Sequence, residues 1–202
     1  AKLKKNEGHW TLNDVPVAYE WQIPLWVEFA SRLNISGRRL VEIGYGMGLF
    51  SKVATRFAAK KHIIIEAHPL IAYEARQRIS EDELKSTYVI EQLWQDSLSR
   101  QQECDAIMYD AFSVLGEKYT DLDKLCCIAS NILAQDGAIG FFCAKPFFEE
   151  RKISIIDKYF EDVTVYKVTN LTPSPDFVAR GVAETMLVPI ARRPRRGGLS
   201  SC

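Results

Sequence analysis

Residues 42–50 read Glu42-Ile43-Gly44-Tyr45-Gly46-Met47-Gly48-Leu49-Phe50, and this stretch decides the fold of the chain. The preceding residues, 39–41, are typical of the end of a buried β-strand, and the following residues, 51–57, predict an α-helix. Glycine adopts positive φ at little steric cost and lets a ligand come close to the backbone. A strand that breaks into closely spaced glycines ahead of a helix therefore predicts a turn that binds a nucleotide-like ligand.

The spacing of the glycines and one acidic residue narrow the choice of ligand. A dinucleotide site has the pattern G-x-G-x-x-G, with the pyrophosphate at the helix N-terminus. This chain has G-x-G-x-G instead, and Glu42 lies two residues before the first glycine. A carboxylate at that position would repel pyrophosphate but would accept hydrogen bonds from a cationic ligand. The E-x-G-x-G-x-G pattern resembles motif I of the class I S-adenosylmethionine (SAM) methyltransferases.

Length and composition predict one soluble globular domain. The chain has 202 residues, of which 47% are apolar and 26% charged, and its formal net charge is zero. No apolar run reaches the roughly 18 residues of a membrane span, and residues 1–7 lack the apolar core of a signal peptide. We therefore expect a cytoplasmic protein that binds neither nucleic acid nor membranes.

The five cysteines predict neither a metal site nor a disulfide framework. They show no C-x-x-C spacing and no histidine at metal-ligand spacing. Cys126 and Cys127 are adjacent, which is a poor arrangement for a metal or for a disulfide. We expect buried, reduced thiols and no bound metal.

Strands and helices alternate along the sequence, which predicts an α/β fold. Pro24 suits the first turn of a helix, and helices are also predicted at about 47–59, 69–80, 118–133 and 147–160. Strands are predicted at about 39–44, 62–66, 87–90, 105–110, 138–143, 162–168 and 182–191. This order predicts a Rossmann-like, doubly wound sheet of seven strands that is mostly parallel. The last two strands have no helix between them and predict an antiparallel terminal hairpin at one edge.

Ligands of such sheets bind beyond the carboxyl ends of the strands. Glu66 ends the second strand at the spacing expected of an acceptor for both hydroxyls of a ribose; its alternative role is to cap the helix at Pro69. Glu42 has the alternative role of a buried acid bonded to backbone amides. Backbone amides at Leu93 and Trp94 are candidates for binding the adenine edge, and core packing is the alternative for Trp94.

Asp110 is the candidate catalytic residue. It ends the apolar strand at 105–110, where an ionised carboxylate is unfavourable unless a cation pairs with it. An amine or guanidinium of the methyl acceptor would satisfy this charge. The carboxylate would then orient the nitrogen and take its proton. A helix cap in the turn at 111–113 is the alternative.

Beyond motif I, the chain resembles guanidinoacetate N-methyltransferase and its bacterial relatives in blocks that run in order over residues from about 9 to 191. The blocks are Val17–Pro24, similar to a segment with Trp-Glu-Thr-Pro in that family, Glu42–Met47, His62–Glu66, Leu93–Asp96, Asp105–Asp110 and Met186–Ile190. The resemblance implies SAM as cofactor and S-adenosylhomocysteine (SAH) as product. Together with the glycine turn, it gives the cofactor-binding residues Glu42, Gly44, Tyr45, Gly46, Met47, Gly48, Leu49, Phe50, Glu66, Ala67, Leu93 and Trp94.

The resemblance also implies where the acceptor and the lid lie. The residues expected to contact the acceptor are Trp21, Gln22, Tyr109, Asp110 and Lys145. Ala18 and Trp26 stand at positions where family members have a methionine that contacts the cofactor. The segment around residues 9–10 is expected to fold over the site, which gives one methyltransferase domain at 1–191 with a lid at about 1–23.

Two further segments are expected to lie outside the sheet. The segment 169–181 is long enough to be a loop that covers a site. The basic residues 192–202 predict a disordered tail, with contact to nucleic acid as the alternative.

Two departures from the family concern the acceptor. The first of the two acids that hold the guanidinium in the family falls on Gln22, and a neutral amide there weakens or removes one charge-assisted bond of roughly 1.5–3 kcal/mol. The polar Thr-Ser after the fifth strand is replaced by Pro146-Phe147, preceded by Lys145. We therefore expect a methyltransferase acting on a guanidine or amine nitrogen of a small molecule other than guanidinoacetate.

Two rival functions remain. The block 109–113 also resembles the amine-binding block of polyamine synthases, which would make the protein an aminopropyltransferase. A non-catalytic SAM-binding protein is the other alternative. The expected assembly is a monomer or a homodimer.

Overall fold

The computed structural model describes residues 2–80, 85–111, 118–178 and 184–196. Its strands are β1 (Leu3–Asn6), β2 (His9–Leu12), β3 (Val15–Tyr19), β4 (Arg39–Ile43), β5 (Lys61–Glu66), β6 (Thr87–Glu91), β7 (Cys104–Tyr109), β8 (Leu133–Phe141), β9 (Phe160–Val168) and β10 (Met186–Pro194). Its α-helices are α1 (Ile23–Leu33), α2 (Leu49–Arg56), α3 (Pro69–Arg78), α4 (Trp94–Ser97), α5 (Lys118–Ile132), α6 (Glu150–Ile156) and α7 (Pro175–Val178).

The main sheet of the described chain has seven strands in the order β6-β5-β4-β7-β8-β10-β9. The strands from β6 to β8 pair in parallel, and β10 is antiparallel to both of its neighbours. The predicted doubly wound sheet with a terminal antiparallel hairpin is therefore confirmed. The order reverses between β4 and β7, and a ligand crevice forms at such a switch point.

Apolar residues on both faces of the parallel strands explain why helices cover the sheet on both sides. Because successive residues of a strand point to opposite faces, neighbours along one strand enter different cores. Leu40 and Met108 pack with α1 and α2 on one face. Val41 and Ile107 pack with α5 and α6 on the other face. The glycine turn between β4 and α2 is thus anchored on a strand that is buried from both sides.

Several predicted boundaries differ from the structure, and two of these differences have a clear structural cause. The strand expected at 138–143 is β8, which begins directly after α5 at Leu133 and ends at Phe141. Gly137 permits this course, because a Cβ there would lie 2.8 Å from the carbonyl oxygen of Ala134. The helix expected at 147–160 is only α6, since Phe160 pairs with Pro194 and opens β9.

The cysteines follow the expectation with one exception. Cys104, Cys126 and Cys143 are buried free thiols. Cys127 takes part in a disulfide bond, so the prediction of a reduced thiol is wrong at this residue. Side chains of adjacent helical residues point about 100° apart. Two adjacent cysteines on α5 can therefore both be buried, as Cys126 and Cys127 are, and still face different neighbours.

The first described residues form a sheet of their own, whereas the last strand belongs to the main sheet. Strands β1, β2 and β3 form a separate antiparallel sheet, at the place where the sequence predicts a lid. At the other end, β10 continues to Pro194, and the amide of Arg195 donates to the carbonyl of Tyr159 at 2.8 Å. The folded region therefore extends past residue 191, and the remainder of the predicted tail, 197–202, lies outside the described residues.

None of the helices in the described ranges is long and apolar enough to cross a membrane.

Candidate cofactor and acceptor site

A cavity of about 510 Å³ lies at the carboxyl ends of β4, β5, β6 and β7, a size typical of ligand sites. Residues of the N-terminal sheet and its turn form one wall. The opposite wall contains many of the predicted site residues. The lining residues from these two groups are Leu12, Asn13, Val15, Pro16, Val17, Gly44, Gly46, Glu66, Ala67, Leu93, Trp94 and Asp110. The structure thus brings the ends of four strands and the N-terminal sheet, the predicted lid, around one space.

A second, smaller cavity adjoins the first at the glycine turn. Gly44, Gly46 and Asp110 line both cavities. The residues that line the smaller one alone include Ala18, Trp26, Glu42, Tyr45, Met47, Leu49 and Phe50. Predicted cofactor residues before and after the turn therefore face a common space.

Gly44 is required by the close approach of two strand ends. Its φ is +88°, and a Cβ at this position would lie only 2.0 Å from the carbonyl oxygen of Asp110. The turn closes through a hydrogen bond from the Gly48 amide to the Tyr45 carbonyl at 2.8 Å. Gly48 then begins α2 with φ +77°. A residue larger than glycine therefore cannot fit at position 44, where the end of β4 contacts the end of β7.

Glu66 is held by two backbone amides. Its Oε2 accepts from Tyr45 at 2.9 Å, and its Oε1 accepts from His68, the residue before α3, at 2.8 Å. The carboxylate therefore caps the start of α3 and also lines the large cavity, while its contact with the ribose hydroxyls stays a prediction. Burial raises the pKa of Glu66 although both amide bonds lower it. Each oxygen retains a second lone pair for a ligand hydroxyl.

Glu42 is buried and has one oxygen that no described residue satisfies. Its Oε2 accepts from Ser51 Oγ at 2.5 Å and from His62 Nε2 at 2.8 Å. Its Oε1 is buried without a partner among the described residues. The bonds come from side chains, so the alternative of an acid tied to backbone amides is wrong. Trp26 lines the same small cavity, and its buried Nε1 likewise has no partner within the described chain.

Asp110 lies where the two cavities meet. The residue is half-buried, and its amide donates to the Ile43 carbonyl at 2.8 Å, which fixes it beside the glycine turn. Burial, together with the charges of Glu42 and Glu66, raises the pKa of Asp110 to about 7. Three acids therefore converge on one site, which favours a cationic ligand. The helix cap suggested as its alternative role involves residues 112–113, which lie outside the described ranges.

Leu93 and Trp94, which follow β6, both line the large cavity but differ in burial. Leu93 is 39% exposed and precedes α4, whereas Trp94 is buried. The Trp94 ring lines the large cavity and also packs edge-on against Tyr109 at 6.0 Å. Core packing and cavity lining are thus both geometrically present for Trp94. Tyr109 lies with the core on the α5 face of the sheet and lines neither cavity described above.

The structure does not bring the other predicted acceptor residues to either cavity wall. Trp21 packs edge-on against Phe177 at 4.8 Å, in the segment predicted to cover the site. Gln22 is buried, and its Oε1 accepts from the Tyr19 amide at 3.1 Å. Lys145 is exposed and pairs with Glu149 at 2.9 Å. Their acceptor contacts stay predictions.

Several residues of the site carry no sequence signal that points to them. Ser51 and His62 are 9 and 20 residues from Glu42 and lie on different elements, so only the folded chain shows that they bond to it. The lid-tip residues Asn13 and Asp14 have positive φ, which is common for these residue types in turns. No cluster of three or more His, Cys, Asp or Glu able to hold a metal ion occurs within the described residues.

A family model and curated relatives match this chain. The model of the family described as guanidinoacetate N-methyltransferase matches residues 1–182. Over 132 residues the chain is 30% identical to protein arginine N-methyltransferase 2 of Aspergillus fumigatus, which covers 62% of this chain and 30% of that protein. Over 109 residues it is 32% identical to the protein of the same name from Eremothecium gossypii, which covers 52% of this chain and 25% of that protein. The chain spans less than a third of the length of these relatives.

Solved structures share the fold at low identity. Spermidine synthase from Thermotoga maritima superposes with a TM-score of 0.70 at 16% identity, over 92% of this chain and 65% of that one. The N-methyltransferase NodS from Bradyrhizobium japonicum WM9 superposes with a TM-score of 0.63 at 19% identity, over 86% of this chain and 95% of that one.

Proposed function

The chain belongs to the guanidinoacetate N-methyltransferase family, with SAM as cofactor, and from this premise we propose that it methylates a guanidine nitrogen. The family model is named for guanidinoacetate and the curated relatives are named for protein arginine. Both acceptors carry a guanidinium group. The observation that carries the proposal is the position of Asp110, at the junction of two cavities and beside two further acids.

The unpaired groups of residues that line the small cavity match the amino-acid part of SAM in charge and in hydrogen-bonding capacity. Glu42 Oε1 is an acceptor for its ammonium group, and Trp26 Nε1 is a donor for its carboxylate. Glu66 would accept from the ribose hydroxyls, and the Leu93–Trp94 segment would contact the adenine. When bound, SAM supplies a methyl group on a positively charged sulfur.

Asp110 would hold the acceptor and remove its proton. A carboxylate with a pKa of about 7 is partly ionised at neutral pH, so it can accept a hydrogen bond from an acceptor N–H and then take the proton. The lid wall at 12–17 would exclude water from this space. The rest of the rate enhancement would come from positioning the acceptor, since its attacking nitrogen must lie in line with the methyl group and the sulfur.

The acceptor proposed here is an amino-acid-derived small molecule other than guanidinoacetate. Gln22 stands where the family has an acid, and its side-chain oxygen is already engaged by Tyr19. A neutral amide forms a weaker bond to a guanidinium than a carboxylate does. The lid over the cavity supports a small acceptor. An arginine side chain of a protein is the second candidate, and the names of the curated relatives favour it.

The test is a methyl-transfer assay with labelled SAM and a panel of guanidino compounds, amines and arginine-containing peptides, followed by mass spectrometry. We expect a guanidino small molecule to gain one methyl group. The turnover rate of the Asp110→Asn variant should be about 10²–10⁴-fold lower than that of the wild type, while the variant retains SAH binding.

Asp136→Asn is the matched control, because this aspartate is 72% exposed and pairs only with Arg38 among the described residues. Undiminished turnover in Asp110→Asn would remove Asp110 from the mechanism. In a parallel assay with decarboxylated SAM as the donor, products that carry an aminopropyl group would show the rival aminopropyltransferase. If only the arginine-containing peptides were labelled, the acceptor would be an arginine side chain of a protein and not a small molecule.

A further inference from the structure

Two residues outside both cavities converge on a single oxygen of Glu42. Ser51 lies in the first turn of α2 and His62 lies in β5, on the strand beside Glu42. Both side chains donate to Oε2, at 2.5 Å and 2.8 Å. Neither residue lines the large or the small cavity.

This arrangement fixes the direction of the other oxygen. Donors on one oxygen, from two different elements, restrict rotation of the carboxylate about its last side-chain bond. Oε1 is then left as a buried acceptor with no partner among the described residues. A buried carboxylate oxygen without a partner is energetically unfavourable. Glu42 is part of the wall of the small cavity, so a ligand there is the available partner. The free enzyme is therefore preorganised for a cationic donor.

We propose that Ser51 and His62 are positioning residues that hold Glu42 so that Oε1 accepts from the ammonium group of the cofactor's amino-acid part. This inference rests on the proposed function. The two residues act only through Glu42, so they should affect ligands that carry the ammonium group. Ligands without that group should bind as before.

The test compares two probes by calorimetry. SAH carries the amino-acid part, whereas 5′-methylthioadenosine has the same nucleoside and thioether without it. In Ser51→Ala we expect the affinity for SAH to fall about tenfold, the effect of one charge-assisted hydrogen bond, and the affinity for 5′-methylthioadenosine to change less than twofold. Thr55→Ala is the matched control, because this hydroxyl lies one turn further along α2 and donates to a backbone carbonyl.

A second pair of variants covers the case in which Ser51→Ala does not fold. His62→Gln retains an N–H donor near the position of Nε2, whereas His62→Leu removes it. We expect the glutamine variant to keep the preference for SAH and the leucine variant to lose it.

The outcomes separate the two proposals. If wild-type protein binds SAH but the Ser51 and His62 variants weaken both probes equally, or weaken neither, the positioning role is wrong and the proposed function stands. Wild-type protein that binds neither probe would overturn both proposals.

Discussion

At the scale of single residues, Asp110 carries a conflict between stability and activity. Its carboxylate lies beside Glu42 and Glu66, and burial together with these charges raises its pKa to about 7. Between pH 4 and pH 7 the folded protein therefore binds a proton that the unfolded chain has released. The folded state loses stability as the pH rises through this range, which is the range in which the proposed base becomes ionised.

This conflict gives opposite pH trends for stability and activity. We expect kcat/KM to rise with pH to a plateau above about pH 7, while the free energy of unfolding falls by as much as about 4 kcal/mol. Asp110→Asn should abolish the rise in kcat/KM and reduce the fall in stability, to which Glu66 with its raised pKa also contributes, and it should be more stable than wild type at pH 8 but not at pH 4. Urea denaturation and initial rates across this pH range measure the two quantities. A wild-type stability that is flat from pH 4 to pH 8 would contradict the assignment.

Gly44 offers a second test at the same scale. An alanine there would place its Cβ 2.0 Å from the Asp110 carbonyl oxygen, at a φ of +88°. We expect Gly44→Ala to destabilise the fold by ~3–5 kcal/mol through overlap and backbone strain. Gly37→Ala is the control, because Gly37 also has positive φ but would meet nothing within 4 Å. Its cost should be about 1 kcal/mol. Equal losses of urea stability in the two variants would show that sterics at the turn do not matter.

At the scale of elements, the N-terminal sheet is attached to α3 through Trp10. The buried Trp10 ring lies 4.3 Å from the Arg78 guanidinium and 5.3 Å from the Lys5 ammonium. Arg78 also donates to the Met47 carbonyl at 3.3 Å, and Lys5 pairs with Glu74 at 2.5 Å. One arginine thus links the lid to the glycine turn.

Arg78→Gln should therefore loosen both the lid and the cofactor site. We expect faster hydrogen exchange of the amides at 9–12 and an affinity for SAH that is about three- to tenfold weaker, which corresponds to the loss of one cation–π contact and one hydrogen bond. Arg76→Gln is the control on the same helix, since Arg76 pairs with Glu91. Unchanged exchange at 9–12 in Arg78→Gln would show that other contacts hold the lid.

At the scale of the whole molecule, the last strand completes the core. β10 lies between β8 and β9, so the strand order is complete only when β10 has paired with β8, where Ile190 lies opposite Gly140. Ile190 on this strand is fully buried, and its side chain lies over Gly140, where a Cβ would be 3.2 Å from the Ile190 Cδ1.

Ile190→Ala should lower the free energy of unfolding by about 2–5 kcal/mol, because it removes buried methyl groups and leaves a cavity. Val27→Ala is the control, since Val27 is 39% exposed on α1 and should cost less than about 0.5 kcal/mol. Urea denaturation measures both variants. A loss at Ile190 no larger than at Val27 would show that the sheet tolerates a gap at this position.

The strand and helix order, the glycine turn and the acids Glu42, Glu66 and Asp110 could all be predicted from the amino-acid sequence. These features are local, because hydrophobic periodicity, glycine spacing and the polar residue at a strand end are written in adjacent residues. The edges of β8 and α6 were not predictable in this way, since Gly137 and Phe160 take their conformation from neighbouring strands.

The contacts between groups on different elements become visible only in the folded chain. The bonds of Ser51 and His62 to Glu42, the closeness of Gly44 to Asp110 and the contact of Trp10 with Arg78 join residues on different elements. The disulfide of Cys127 and the burial that raises the pKa of Asp110 likewise depend on how elements pack. Such distances and local dielectric properties follow from the packed chain, and no periodicity in the sequence encodes them.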